Sequence, residues 1–282
     1  MAEPHGTPPR VLARLVTQAA LAKTHLSYPD YIIKSFLGGV FISLGALTDL
    51  VILSGSPGLR ESNPSLAAMI AGFTFPTGFV LIILTNVELC TSNMFVMPFT
   101  ILQRKTTVWD LVKNWVISYL GNLAGCLFVA GFLAWWTNTL STPAQQAYAV
   151  TQAEGRVNVG WSVNFLRGIG CNIFVALAMF LSLGSADYHS IANFFQVPVG
   201  MFYGTNFGVG RYIYQSVIPV TLGNIVGAGL FGIGLWWLYG REEEVMQEAE
   251  KRIKDVERDG GGSGSGSSSG NGSVPPGRLG IT

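Results

Sequence analysis

Leu120-Gly121-Asn122-Leu123-Ala124-Gly125 is repeated about a hundred residues later as Leu222-Gly223-Asn224-Ile225-Val226-Gly227. Two weaker pairs run alongside it: Phe36-Leu37-Gly38-Gly39 with Phe165-Leu166-Arg167-Gly168, and Ser92-Asn93-Met94-Phe95 with Ala192-Asn193-Phe194-Phe195. Small residues at the LGNxxG positions let two helix backbones approach closely. Each copy sits in an apolar stretch, and three such stretches precede three related ones. An odd number of crossings per half gives the halves opposite senses in a bilayer, which is an inverted repeat.

Composition supports the membrane reading. Only 12% of the 282 residues are charged, 49% are hydrophobic, and the mean hydropathy is +0.40. Soluble domains carry about 25% charged residues. A bilayer core requires roughly 20 apolar residues in a helix. Residues 31–53, 65–86, 109–136 and 213–239 satisfy this directly, and 159–183 does so despite Arg167 and Asn172. A sixth stretch, 191–207, is short and interrupted by Pro198, Gly200 and Gly204. The expected fold is therefore an all-α integral membrane bundle of six spans in a 3+3 inverted repeat. One straight helix from residue 65 to residue 102 would be about 57 Å long, nearly twice the hydrocarbon core. The second helix is therefore expected to break near Glu88 to Asn93.

The basic residues set the expected orientation. Arg10, Arg14, Lys23 and Lys34 precede the first span, and Arg104, Lys105 and Lys113 lie in an alternate loop, whereas the opposite side offers only Arg60 and Arg156. Both termini are expected in the cytoplasm. Residues 1–30 read as a cytoplasmic segment with an amphipathic helix, 31–239 as the channel domain, 240–259 as a charged helix, and 260–282 as a disordered Gly/Ser-rich tail. The N-terminus has no pattern of a cleavable signal peptide.

Several function classes are excluded. A net charge of +1 leaves no nucleic-acid footprint. No phosphate loop, nucleophile triad, metal cluster or cofactor motif occurs, so neither an enzyme nor a cofactor is expected. Cys90, Cys126 and Cys171 lie in apolar surroundings and read as buried thiols. The Asn-Pro-Ala pair of a water channel is absent.

The motifs in their order carry a family resemblance over residues 20–240. Phe75-Pro76-Thr77-Gly78, then Val87-Glu88-Leu89-Cys90-Thr91-Ser92-Asn93, then Asn114-Trp115 with Tyr119-Leu120-Gly121-Asn122-Leu123, resemble successive helices of the formate/nitrite transporter family. Arg167-Gly168-Ile169-Gly170-Cys171-Asn172, His189-Ser190-Ile191-Ala192-Asn193 and Pro219-Val220-Thr221-Leu222-Gly223-Asn224 complete the set. The branch it most resembles is the filamentous-fungal nitrite transporters. The resemblance implies an aquaporin-like channel fold with broken second and fifth helices. It also implies a homopentamer in the plasma membrane with a pore in each protomer. The cargo would be nitrite, with formate and similar small anions, serving nitrate assimilation; the other partners implied are protons and membrane lipid.

It further implies site residues. His189 would be the central proton-exchanging group, with Thr91 facing it from the helix break. Asn172 would lie near the pore and work with Arg156. Phe75, Phe79, Leu89 and Phe194 would form the constrictions. Each has a structural alternative: a hydrogen-bonded histidine, a capping threonine, an interhelical amide, a solvated arginine, or ordinary apolar packing. Glu88 is expected to be structural, satisfied by backbone N–H groups of the broken helix or by a neighbouring chain.

The repeat also contains a shortfall. Phe36 to Asn93 is 57 residues, but Phe165 to Asn193 is only 28, so the second half is 29 residues short, all before Asn193. The family's fifth helix begins with a half-helix of some twenty residues and a Glu before the histidine. Here Leu183-Gly184-Ser185-Ala186-Asp187-Tyr188 runs straight into His189, with Tyr188 in the Glu position. A non-conducting or regulatory isoform is therefore a second functional reading.

Overall fold

The computed structural model describes residues 8–183, residues 193–240 and Arg252. The chain divides after Arg241, and of the second unit only Arg252, helical and exposed, is described. The charged helix and Gly/Ser-rich tail expected beyond residue 240 otherwise lie outside the described residues, as does His189.

All the described secondary structure is helical. The order is α1 (Pro9–Thr24), α2 (Tyr28–Gly55), α3 (Pro57–Ser62), α4 (Pro64–Thr74), α5 (Thr77–Thr85), α6 (Cys90–Leu102) and α7 (Val108–Phe128). Then come α8 (Pro143–Val157), α9 (Trp161–Ser182), α10 (Asn193–Phe202), α11 (Val209–Tyr212) and α12 (Ile218–Leu235). Wider π-helical turns extend α7 over Val129–Trp136, join α11 to α12 over Ile213–Val217, and close α12 over Trp236–Gly240. Among the described residues, five helices are long and apolar enough to cross a membrane: Tyr28–Gly55, Pro64–Thr85, Val108–Trp136, Trp161–Ser182 and Val209–Gly240. Phe73, Trp136, Leu84 and Phe174 are among the exposed large apolar side chains, as a lipid-facing surface requires. The protein is an integral membrane protein. The sixth stretch appears as the ten-residue α10, with Pro198 inside it.

The repeat is visible in the packing. A Cβ added at Gly125 on α7 would stand 2.1 Å from the Phe36 carbonyl oxygen of α2. One added at its repeat mate Gly227 on α12 would stand 2.3 Å from the Ile169 carbonyl oxygen of α9, and one at Gly223, the mate of Gly121, 2.1 Å from that of Phe165. The last glycine of each LGNxxG copy thus meets a helix carbonyl, and this packing sets Phe36 opposite Ile169 in the repeat, four residues on from the Phe165 that the sequence match paired with it. No side chain larger than hydrogen fits there.

The second helix breaks as its length demands. Asn86 ends α5 in the left-handed conformation (φ 51°), residues 87–89 are non-helical with Leu89 extended, and α6 begins at Cys90. An additional interruption, which sequence length did not require, falls at Phe75-Pro76 between α4 and α5. Gly45 of α2 sits against this junction, where a Cβ would lie 2.5 Å from the Phe75 carbonyl oxygen. Helix starts elsewhere follow ordinary capping rules: Thr107 with Asp110, and Thr142 with Gln145, form reciprocal capping boxes on α7 and α8.

Helix α1 packs on the bundle against α6 rather than standing apart. Leu12, Ala13, Val16 and Ala20 are buried in one cluster with Met94, Phe95 and Phe99. Their spacing of three and four residues is one helix face.

Candidate functional site

The broken second helix supplies the centre of the site, and three side chains from elsewhere hold it. Asn122 of α7 is buried; its Nδ2 donates to the carbonyl oxygens of Ser35 (2.7 Å) and Glu88 (2.8 Å). Its Oδ1 accepts from the backbone N–H of Cys90 at 2.8 Å. That last bond caps α6, whose N-cap Leu89 offers no side-chain cap. The structural alternative of a capping Thr91 is therefore not realised: the cap comes from the repeated asparagine on a neighbouring helix. Gly38 makes the arrangement possible, since a Cβ there would meet the Glu88 carbonyl oxygen at 2.1 Å.

Glu88 is structural, but its partners differ from those expected. Its Oε1 accepts from Lys23 Nζ at 2.7 Å and its Oε2 from Asn93 Nδ2 at 2.9 Å, with both charged side chains buried. The cation comes from α1, 65 residues away. A buried carboxylate without such a partner would be costly in a low-dielectric interior.

Beside the break lies a central cavity with about 80 Å³ accessible to water-sized molecules. A single water requires about 10–15 Å³ by this measure, so a few waters or one triatomic anion fit. Leu89, Thr91 and Met94 line it from the break and α6, Tyr119 from α7, and Phe195 from α10. Thr221 and Asn224 line it from α12, and the Tyr119 hydroxyl lies 3.2 Å from Thr221 Oγ1. Thr91 Oγ1 and Asn224 Oδ1 are buried without a hydrogen-bond partner among the described residues.

A second, wider opening of about 570 Å³ adjoins this cavity, and Cys171 and Val220 line both. Arg156 at the end of α8 and Arg167 on α9 line the opening, with Thr151, Gln152 and Asn164. The Arg156 guanidinium donates from Nη1 to the Gln152 carbonyl oxygen (2.7 Å) and to its Oε1 (3.0 Å). Asn164 Nδ2 donates to the Arg156 carbonyl oxygen at 3.0 Å and to that of Gln215, tying α8 to the start of the last span. Burial draws the Arg156 guanidinium below its ordinary value, but an arginine remains cationic at any ordinary pH.

The expected site residues are thus distributed unevenly. Thr91 and Leu89 face the cavity, and Arg156 lines the adjoining vestibule. Asn172 is fully buried beside the cavity, its Nδ2 donating to the carbonyl oxygens of Asn224 (2.8 Å) and Thr91 (3.3 Å). It makes the interhelical bonds of the structural alternative, and makes them to the residue chosen for the pore. Phe75 and Phe79 pack in a core cluster with Ile42, Ala46 and Leu50 and are absent from the cavity lining. The side chain of Phe194 lies outside the described residues, while its neighbour Phe195 faces the cavity. Asn224, Phe195 and Arg167 were not selected from the sequence. For Asn224 a signal existed: it is the repeat mate of Asn122.

Comparison with known proteins places this architecture. The sequence profile described as Formate/nitrite transporter matches residues 10–188 and 188–238. The chain belongs to the formate/nitrite transporter family. It is 34% identical over 263 residues to the "Probable formate transporter" of Methanothermobacter thermautotrophicus, covering 80% of this chain and 92% of that one. Two solved structures share its fold. An FNT family ion channel superposes with a TM-score of 0.68 at 21% identity, covering 82% of this chain and 98% of the other. A pentameric formate channel with formate bound superposes with a TM-score of 0.58 at 23% identity, covering 78% and 97%. The relatives of this transporter family are channels and transporters, and this chain is a membrane-embedded member of it.

Proposed function

We propose that the chain conducts small monovalent oxyanions of the formate and nitrite class through a pore in each protomer of a homopentamer. The observation that carries this is the junction of an arginine-lined vestibule with a cavity lined by Thr91, whose hydroxyl has no hydrogen-bond partner among the described residues. Dehydrating a free anion in an apolar bundle costs roughly tens of kcal/mol by the Born estimate. Cationic side chains at the mouth raise the local anion concentration, and a hydroxyl donor inside replaces part of the lost hydration. In this reading His189 exchanges a proton with the anion, and nitrite is the preferred cargo. The pore domain spans residues 31–239, with the segments 1–30, 240–259 and 260–282 on the cytoplasmic face of the plasma membrane. Family membership and the formate-bound pentameric neighbour support the cargo class and the assembly.

The test is uptake of formate and of nitrite into proteoliposomes holding the purified chain. Saturable uptake of one or both is expected. Arg156→Ala should lower uptake at low ionic strength by about three- to tenfold, with the difference shrinking at high salt. Arg156→Lys should retain most of it. Equal uptake by the Ala variant and the parent at low salt would remove Arg156 from the pathway.

One observation favours the second reading, a poorly conducting isoform. The two pieces of the family match meet at residue 188, where the repeat is 29 residues short. On this reading the first half of the fifth helix is missing, and His189, five residues past Gly184, lies within about 18 Å of it even when fully extended. Inserting a half-helix ending in Glu before His189 should then raise uptake at least tenfold. Strong uptake by the unmodified chain, lost in His189→Ala, would overturn this reading.

A further inference from the structure

The last span carries a wide turn that its repeat mate lacks. Residues 213–217 are π-helical, and the Ile218 N–H donates to the Ile213 carbonyl oxygen, five residues back. The LGNxxG copies pair this stretch with residues 111–115 of α7, which are ordinary α-helix. In the same register Pro219 pairs with Ile117. Ile117 has a backbone N–H and Pro219 has none, so in the second half the Gln215 carbonyl finds no donor one α-turn ahead.

Asn164 supplies that donor from another helix. It is buried on α9, and its Nδ2 donates to the carbonyl oxygens of Gln215 and of Arg156 (3.0 Å), which ends α8. Tight packing sets α9 at the level this requires: a Cβ at Gly168 would stand 2.6 Å from the Val220 carbonyl oxygen. Asn122 and Asn172 act alike, each joining carbonyls of two elements through one Nδ2.

The wide turn decides which side chains reach the cavity. Tyr212 and Ser216 line it, while Ile213 and Tyr214 are exposed. A π-turn holds one residue more than an α-turn, so straightening it advances the residues before it by one place. Ile213 would then stand where Tyr212 does.

We propose that Asn164 is a positioning residue: its amide stands in for the N–H that Pro219 lacks, holds the wide turn, and so keeps Tyr212 rather than Ile213 in the cavity wall. The phenol ring narrows that end of the cavity and favours triatomic anions over larger carboxylates. The effect on selection rests on the channel reading; the clamp itself does not.

A thermal-unfolding cycle on the full chain in mild detergent tests the clamp without flux. Asn164→Ala should lower the melting temperature by about 4–8 °C, because two carbonyls lose their donor. In Pro219→Ala the restored N–H serves the Gln215 carbonyl, so the same asparagine change should cost at most about half as much. Asn164→Ser, which keeps one donor, replaces Asn164→Ala in the cycle if that variant does not fold. Equal losses in both backgrounds would overturn the clamp. Uptake of acetate and of formate into proteoliposomes tests the consequence. Pro219→Ala should raise the acetate-to-formate ratio by about three- to tenfold, since a straightened turn exchanges tyrosine for the smaller isoleucine. Asn164→Ala, which loosens the same turn, should move the ratio in the same direction. An unchanged ratio in both variants would overturn the selective role even where the stability coupling is present. Stability coupling in a chain that takes up neither anion would count against the channel reading alone.

Discussion

Asn122→Leu is expected to cost about 2–6 kcal/mol of stability, because it orphans at least two buried backbone groups at once. Leucine keeps the branched outline of asparagine but is larger, so overpacking against Gly38 and Gly39 adds to the loss of the hydrogen bonds. The Glu88 carbonyl lies in the gap between α5 and α6, and the Cys90 N–H is the first of α6. Neither has a backbone partner within a helix. Thermal unfolding in mild detergent should show a loss of several degrees or more, and limited proteolysis should open the chain near residues 86–89. Asn122→Asp is the informative companion, since it keeps the acceptor for Cys90 and loses both donated bonds. A melting temperature for Asn122→Leu within about 2 °C of the parent would show that the break is held by something else.

Lys23→Met should be comparably damaging, at about 3–5 kcal/mol, because it leaves a buried carboxylate without its cation. Glu88 is 1% exposed and Lys23 7% exposed, and they meet at 2.7 Å. Glu88→Gln alone strands the ammonium in the same way. Replacing both charges together should recover most of the loss, since the desolvation cost disappears along with the attraction. The measurement is a double-mutant cycle on unfolding, with protease sensitivity of residues 8–26 reporting whether α1 stays docked. Additive losses in the double variant would mean that the two side chains act independently and that their contact contributes nothing.

Much of the fold was legible because it rests on lengths and repeats. A bilayer of fixed thickness sets the span length, so five of the six apolar stretches reappear as long helices. The same thickness forbids a straight second helix; the break expected over residues 88–93 overlaps the observed 86–89 gap at residues 88 and 89. The LGNxxG copies predicted close helix pairs, and the corresponding glycines Gly125 and Gly227 each pack against a helix carbonyl, of Phe36 and Ile169. The resemblance chosen from the motif order was also correct at the level of family. What the sequence could not supply was direction. A membrane helix is apolar on the sides that face lipid and on those that face protein, so it carries no period to tell them apart. Phe75 and Phe79 therefore looked as eligible for the pore as Phe195, which alone of the three lines the cavity.

The sequence by itself determined an all-helical membrane protein, its repeat and the place where its second helix must break, because backbone hydrogen bonding and bilayer thickness act on every residue alike. Only the tertiary structure decided that Lys23 from α1 neutralises Glu88 and that Asn122, not a local side chain, caps α6. It alone brought Arg156 and Arg167 to one opening on two helices. Those are pairings between groups distant in sequence or on different elements. They are selected by the cost of leaving a charge or a backbone amide unpaired in a dry interior, and that cost is set by three-dimensional proximity rather than by order along the chain.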